Sequence, residues 1–337
     1  MAYFNGPITS NAALLEQIVT MMIAEGWGVL FDGDGEAASN GDNGLTAAHV
    51  PRAVVLDGPD GVPVTLFITA ADTPANNTDG ANLRGIIYNE YDPGVSVFSQ
   101  FTNSSRPNDL IASAAISTTN RNQFAGGGTT EPPTEAWIFT SPTYCHAVWS
   151  TEPGVFWHFH VGQIDKGYDF FGGLYVGGTM CPPGFARTDE DSNLNRRPFM
   201  MTNDVGSITR LYFYHGDYDG QVARTAKAQN SGSFDTHRVH FNCFGRAAEQ
   251  HNYIPPPYTG RAVLLPLNVM IANQGTDRGF IQGTVSDARV TSIQNLNPGE
   301  IVTFQGDQWQ VFPFCRKAPN GVDFGTRDQA MAYRINP

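Results

Sequence analysis

Residues 137–178, WIFTSPTYCHAVWSTEPGVFWHFHVGQIDKGYDFFGGLYVGG, constrain the fold more than any other stretch of the chain. Trp137-Ile138-Phe139 and Cys145-His146-Ala147-Val148-Trp149 are short runs of strand-forming residues, and 155–161 is an aromatic one. β-Branched and aromatic side chains suit a pleated, half-buried surface. Glu152-Pro153-Gly154 supplies a turn between the second run and the third. A polar link, 163–169, leads into Phe170-Phe171-Gly172-Gly173-Leu174-Tyr175-Val176-Gly177-Gly178. The pattern predicts two hairpins in succession. Three of the five tryptophans and two of the four cysteines lie in or just beside it, which makes it the expected centre of a β core.

One helix is predicted, over 10–25. Ser10 is a good N-cap, and Leu14, Leu15, Ile18, Met21 and Met22 recur at spacings of three and four. Gly26 follows as the stop. The helix is expected to pack on its own sheet, with docking on a neighbour as the alternative. Strands are predicted at 27–31, 53–56, 63–69, 83–89, 94–101, 208–214, 237–244, 280–285, 301–304, 309–314 and 330–335. Asp57-Gly58-Pro59-Asp60-Gly61 is a hairpin turn between two of them. Residues 262–271 are the most hydrophobic stretch, but Pro266 argues for two short strands or an edge. The Gly/Pro-rich stretch 117–135 reads as a long loop of one domain, with an interdomain linker as the alternative. The predicted fold is therefore mainly β: an antiparallel β-sandwich-like core in a single large domain, 1–337, with long loops and one N-terminal helix.

Composition narrows the partners. Only 15% of residues are charged, against the roughly 25% usual for soluble domains. Part of the surface is then expected to be covered by a partner. The net charge of −12 and the lack of a basic cluster argue against nucleic acid. The opening MAYFNGPITS has neither the basic nor the apolar region of a signal peptide, and no apolar run reaches membrane-spanning length, so no membrane partner is expected. Cys145, Cys181, Cys243 and Cys315 are too few and too scattered for a disulfide framework. Buried free thiols are the expectation, with one or two disulfides as the alternative.

Several constellations carry potential chemistry. His158 and His160 share one face of a strand, and a paired strand brings in His146, a familiar way to hold zinc. No carboxylate stands at motif spacing, however, and the neighbours are aromatic, so a structural role is the expectation. His237 and His240 fall on opposite strand faces and do not make one site. Asp217 and Asp219, beside His215, and the Asp-Gly-Asp-Gly of loop 32–44 read as solvated turns. A nucleophile elbow, a P-loop and an HExxH motif are absent from the sequence. Asp165, Asp169, Asp189, Glu190 and Asp191 are carboxylates available to a glycosidase, but nothing in the sequence assembles them into a cleft. No catalytic, cofactor-binding or metal-binding residue is assigned, and no enzymatic activity is expected.

The motif Pro153-Gly154, Phe156, His158, Gly162, Ile164, Lys166 and Gly172-Gly173 resembles a group of tailed-bacteriophage virion proteins. The end of the chain is similar too, in Gly306-Asp307, Trp309, Val311-Phe312-Pro313 and Ala332-Tyr333-Arg334. So is the start, a short helix after a Tyr-Asn-Gly type of opening, then Gly26-Trp27 and Leu83-Arg84-Gly85. The resemblance is diffuse but touches most of the chain. It implies a structural part of the virion, tail or baseplate in the first place, assembled in the host cytoplasm. Its partners would be other virion proteins and copies of itself. The loops 32–44, 117–135, 181–204 and 222–235 are expected to lie against neighbouring subunits. The alternatives are a receptor- or glycan-binding virion protein, with Tyr212-Phe213-Tyr214 and Tyr218 stacking on sugars, a capsid or neck decoration protein, and a polymer-degrading hydrolase.

Overall fold

A computed structural model describes residues 1–33, 52–57, 65–70, 83–88, 132–168, 172–178, 212–215, 237–241, 263–273, 279–313, 317 and 329–336. The predicted strand 94–101 and the loops 117–131, 181–204 and 222–235 lie outside these residues, as does most of loop 32–44.

The chain enters on β1 (Ala2–Pro7) and forms helix α1 (Asn11–Ala24). The strands β2 (Val29–Gly33), β3 (Arg52–Asp57), β4 (Thr65–Ala70) and β5 (Leu83–Tyr88) follow. Next come β6 (Glu135–Ser141), β7 (Tyr144–Glu152), β8 (Val155–Gln163), β9 (Asp165–Lys166) and β10 (Gly172–Gly178). After β11 (Tyr212–His215) and β12 (His237–Phe241) the chain closes with five strands. These are β13 (Leu265–Asn273), β14 (Gly279–Ser292), β15 (Ile301–Phe304), β16 (Asp307–Pro313) and β17 (Gln329–Asn336).

Among the described residues all strand pairings are antiparallel and make three sheets. One runs β1-β6-β7-β8-β10-β11, a second β12-β13-β14-β17-β16-β15 with β9 added beside β14, and a third β2-β3-β4-β5. The protein is thus mainly β and antiparallel, with one helix among the described residues. The two hairpins predicted over 137–178 are realised as a continuous meander, β6-β7-β8-β10. Gly154, at φ +80°, makes the β7–β8 turn that Pro153-Gly154 announces.

The meander is the middle layer of the molecule, because it is buried on both faces. Side chains alternate along each strand. Ala136, Ile138, Cys145, Ala147, Trp149, Val155, Trp157, Phe159 and Val161 point one way, against Leu14, Leu15, Ile18 and Met22 of α1 and Val54 and Leu56 of β3. The small residues Ala136, Cys145 and Ala147 leave room for the aliphatic face of the helix. Trp137, Phe139, Val148 and Phe156 point the other way, against Val285, Val290, Phe312, Met331 and Tyr333 of the second sheet. The far side of that sheet is closed by Leu264, Ile293 and Leu296 around Trp309 and Val311.

The helix ends follow the sequence. Ser10 is extended, and its side-chain oxygen accepts from the amide of Ala13 at 3.0 Å. Gly26, at φ +94°, turns the chain so that Trp27 donates its amide to Met22 and its indole to the carbonyl of Ser141. Replacing Ser10 by Ala orphans one helix amide, and a thermal or urea melt should register a loss of about 1 kcal/mol.

Three expectations are corrected. Residues 265–273 form one interior strand, β13, rather than two short strands or an edge. Pro266 is tolerated because it is the second residue of the strand and the register slips between it and Asn268, where a missing amide costs least. The strand predicted to end at 285 continues to Ser292 through Asp287. Asp287 sits at φ 50°, a conformation Asp tolerates better than most residues. The link 163–169 contains a short strand: β9 lies across β14 so closely that a Cβ on Gly283 would overlap the carbonyl of Asp165.

Candidate functional site

β7 and β8 pair so that His146 stands opposite His160 and Val148 opposite His158. The two-residue period puts all three imidazoles on the face that meets the second sheet, as the spacing predicted. All three are fully buried, and so is Tyr333 of β17, which lies among them.

Five polar contacts run through this cluster in a line. His146 Nε2 lies 2.9 Å from the carbonyl oxygen of Ser286 on β14. His146 Nδ1 lies 3.1 Å from His160 Nδ1. His160 Nε2 lies 3.4 Å from the Tyr333 hydroxyl, which is also 2.7 Å from His158 Nδ1. His158 Nε2 lies 2.9 Å from the carbonyl oxygen of Pro313 on β16. Both ends of the line are backbone carbonyls, and a carbonyl only accepts. The partners therefore fix two tautomers: His146 and His158 each carry a proton on Nε2 and present a lone pair at Nδ1. Tyr333 donates to His158.

Tyr144 stacks on His146 at 4.6 Å between centroids and donates its hydroxyl to Asp287 at 2.8 Å. Asp287 in turn holds Arg334 at 3.2 Å, and Arg334 reaches Asp307 at 3.1 Å. The cluster thus passes outward from neutral rings to partly exposed ion pairs. Burial is the main cause of every shifted pKa here. It pushes His158 down to about 3 and His146 to about 4, the latter against the opposing pull of the Ser286 carbonyl and Asp287. It also drives His160 well below the ordinary value, with the neighbouring histidines adding to the effect. The Tyr144, Tyr175 and Tyr333 phenols are pushed up and stay protonated.

A general acid or base must reach a substrate proton. These rings are sealed between two sheets, so the chemistry open to them is internal: hydrogen bonding across the joint and exchange of a proton. Among the described residues no set of three or more His, Cys, Asp or Glu is disposed to hold a metal ion.

The other sequence candidates are dispersed. His215 ends β11, while His237 and His240 lie on β12 in another sheet. Asp165 is exposed on β9, and Asp169, Asp189, Glu190, Asp191, Asp217, Tyr218 and Asp219 lie outside the described residues. Tyr212, Phe213 and Tyr214 lie on β11, within the strand predicted over 208–214, at the edge of its sheet among the described residues. Cys145 is a free thiol buried against the helix, its pKa raised by burial. Among the described residues no helix is long and apolar enough to cross a membrane.

Sequence reasoning did not foresee Tyr333, Ser286, Asp287 and Pro313 as partners of the histidines. The available signal was Tyr333 itself, an aromatic residue with a polar tip inside the small alternating strand Ala330-Met331-Ala332.

No protein-family model matches the chain, and no curated protein does.

Proposed function

We propose that the protein is a structural component of a tailed-phage particle, in the tail or baseplate, that acts by binding copies of itself and other virion proteins. The carrying observation is where the residues of the phage resemblance sit. Phe156, His158, Ile164, Trp309, Val311, Phe312 and Tyr333 are all buried in the layered core. Pro153, Gly154, Lys166, Gly306, Asp307 and Arg334 of the same set are not buried, so it is the apolar part of the resemblance that is framework, and a shared framework suits an assembly part.

Edge strands give the framework a means of contact. Val29 and Leu30 on β2 are each 42% exposed, and Ile301 on β15 is 51% exposed. Both strands are sheet edges among the described residues. An edge offers unpaired backbone groups, and aliphatic side chains beside it supply contact energy. Sedimentation of the purified chain at high concentration, alone and with the other proteins of its particle, is the test. Self-association or a stable complex is expected, and Leu30→Asp or Ile301→Asp should weaken it without lowering the melting temperature appreciably. A chain that stays monomeric and binds no virion protein sinks the reading.

A further inference from the structure

The far face of the seven-stranded sheet, the one turned away from the meander, carries polar groups that no described residue satisfies. Val290, Phe312, Met331 and Tyr333 meet the meander, so alternation puts Arg289 and Thr291 of β14, Ala330 and Ala332 of β17 and Trp309 of β16 on the far side. Arg289 lies opposite Ala332, and Ala332 lies opposite Val311. The middle strand therefore raises only a methyl group between β14 and β16. Across it the Arg289 guanidinium carbon comes to 5.1 Å from the centre of the Trp309 ring.

Arg289 is a cation without an anion among the described residues. Its NH1 group donates to the carbonyl of Ala288, its own strand neighbour, at 3.1 Å. Asp287 accepts from Tyr144 and pairs with Arg334 instead, and Asp307 also pairs with Arg334. Burial pulls the Arg289 pKa down, against the opposing pull of Asp287 and Asp165, and Arg334 adds to the fall. The Trp309 indole N–H and the Thr291 hydroxyl are buried without any hydrogen-bond partner. Buried polar groups are rarely left so, because each has given up water and gained nothing. An indole N–H and a guanidinium only donate. What this face lacks is an acceptor with negative charge.

We propose that Arg289 and Trp309 form a binding site for a carboxylate. The guanidinium presents its remaining N–H groups as a planar fork that matches the two carboxylate oxygens. The indole N–H supplies the neighbouring donor. A monoanion fits better than a phosphate or sulfate dianion, since one guanidinium balances one charge and a chain of net charge −12 repels a second. Val302 and Phe304, only partly buried against the same cluster, offer an apolar bed for the carbon body of the ligand. Leu264, Ile293 and Leu296 close the rest of the face around the buried Trp309, whereas Arg289 is partly exposed. The carboxylate therefore enters at the guanidinium. Its source is a free organic acid or an acidic side chain of a second copy, and the chemistry of recognition is the same for both. The site itself does not depend on the proposed virion role.

The indole nitrogen–proton NMR signal of Trp309, followed in the full chain at neutral pH, tests it; the signal is identified as the one missing from Trp309→Phe. Two series separate the sources. Sodium acetate added to dilute protein should move the signal downfield, to saturation, if the site takes a free acid. Concentrating the protein without added carboxylate should move it likewise if a second copy supplies the group. Sodium chloride at matched ionic strength should leave it in place. Arg289→Gln should abolish the movement. Arg289→Lys keeps the charge but not the fork and should weaken binding roughly tenfold, the worth of one charge-assisted hydrogen bond. A signal that moves in neither series, that follows chloride equally, or that still moves in Arg289→Gln would overturn the proposal. Should Arg289→Gln not fold, the acetate and chloride series on the unaltered chain, with Arg289→Lys beside them, still decide.

Discussion

Acidifying the folded protein from about pH 7.5 to about pH 5 is expected to destabilise it by about 3 kcal/mol or more. His146, His158 and His160 are all held below the ordinary histidine pKa by burial. Each is neutral when folded, whereas in the unfolded chain it gains a proton as the pH passes roughly 6.5. The unfolded state then binds more protons, so stability falls with pH across that window, by about 1.4 kcal/mol per unit for each histidine fully in play. The contribution is intact above the unfolded value and is lost as the pH falls toward the folded values, about 4 for His146 and about 3 for His158. The overall charge works in the opposite direction. With a net charge of −12 and a pI near 5.0, acidification to that point relieves self-repulsion. A decline in stability over this range therefore reports the buried rings. Urea melts at a series of pH values measure it, and a flat or rising profile between neutrality and the pI would contradict the burial of this cluster.

Trp149→Ala should cost about 3–5 kcal/mol, the range for removing a large buried aromatic side chain. Trp149 is 1% exposed and stands opposite Trp157 on the helix-facing side of the meander. Its neighbours are held by strand ladders on one side and the helix on the other, so the void cannot collapse cheaply. Trp149→Phe keeps much of the volume and should cost less than half as much. Chemical denaturation of both variants gives the comparison, and a loss under about 1 kcal/mol for Ala would mean that the helix does not pack as described.

The parts of the fold that could be read from the sequence are those whose signals are local. Residues 155–161 alternate between large apolar groups and sit between two turns, and α1 has both a cap and a period. The shared face of His158 and His160, with His146 across from it, also followed from strand geometry. Where local chemistry points elsewhere, the reading failed. No strand is predicted before the helix, yet Ala2–Pro7 is one, because β6 supplies its partner from far along the chain. The strand predicted to end at 285 runs on past Ser286-Asp287, because β13 pairs with β14 before and after that pair and β17 takes hold from Ala288. The histidine partners are 140 residues away at Ser286 and 175 at Tyr333. No spacing rule reaches that far; only the stacking of two sheets brings them together.

The meander β6-β7-β8 presents neither of its broad faces to water. Its consequence is cooperativity. Peeling away the helix leaves Trp149, Trp157 and Phe159 bare, and parting the two sheets bares Trp137, Phe139 and Phe156. Neither half-open form keeps enough buried area to persist, so the layers should be lost together rather than in sequence. A neighbour that docks on the closed molecule finds neither broad face of this layer open, because both are already occupied.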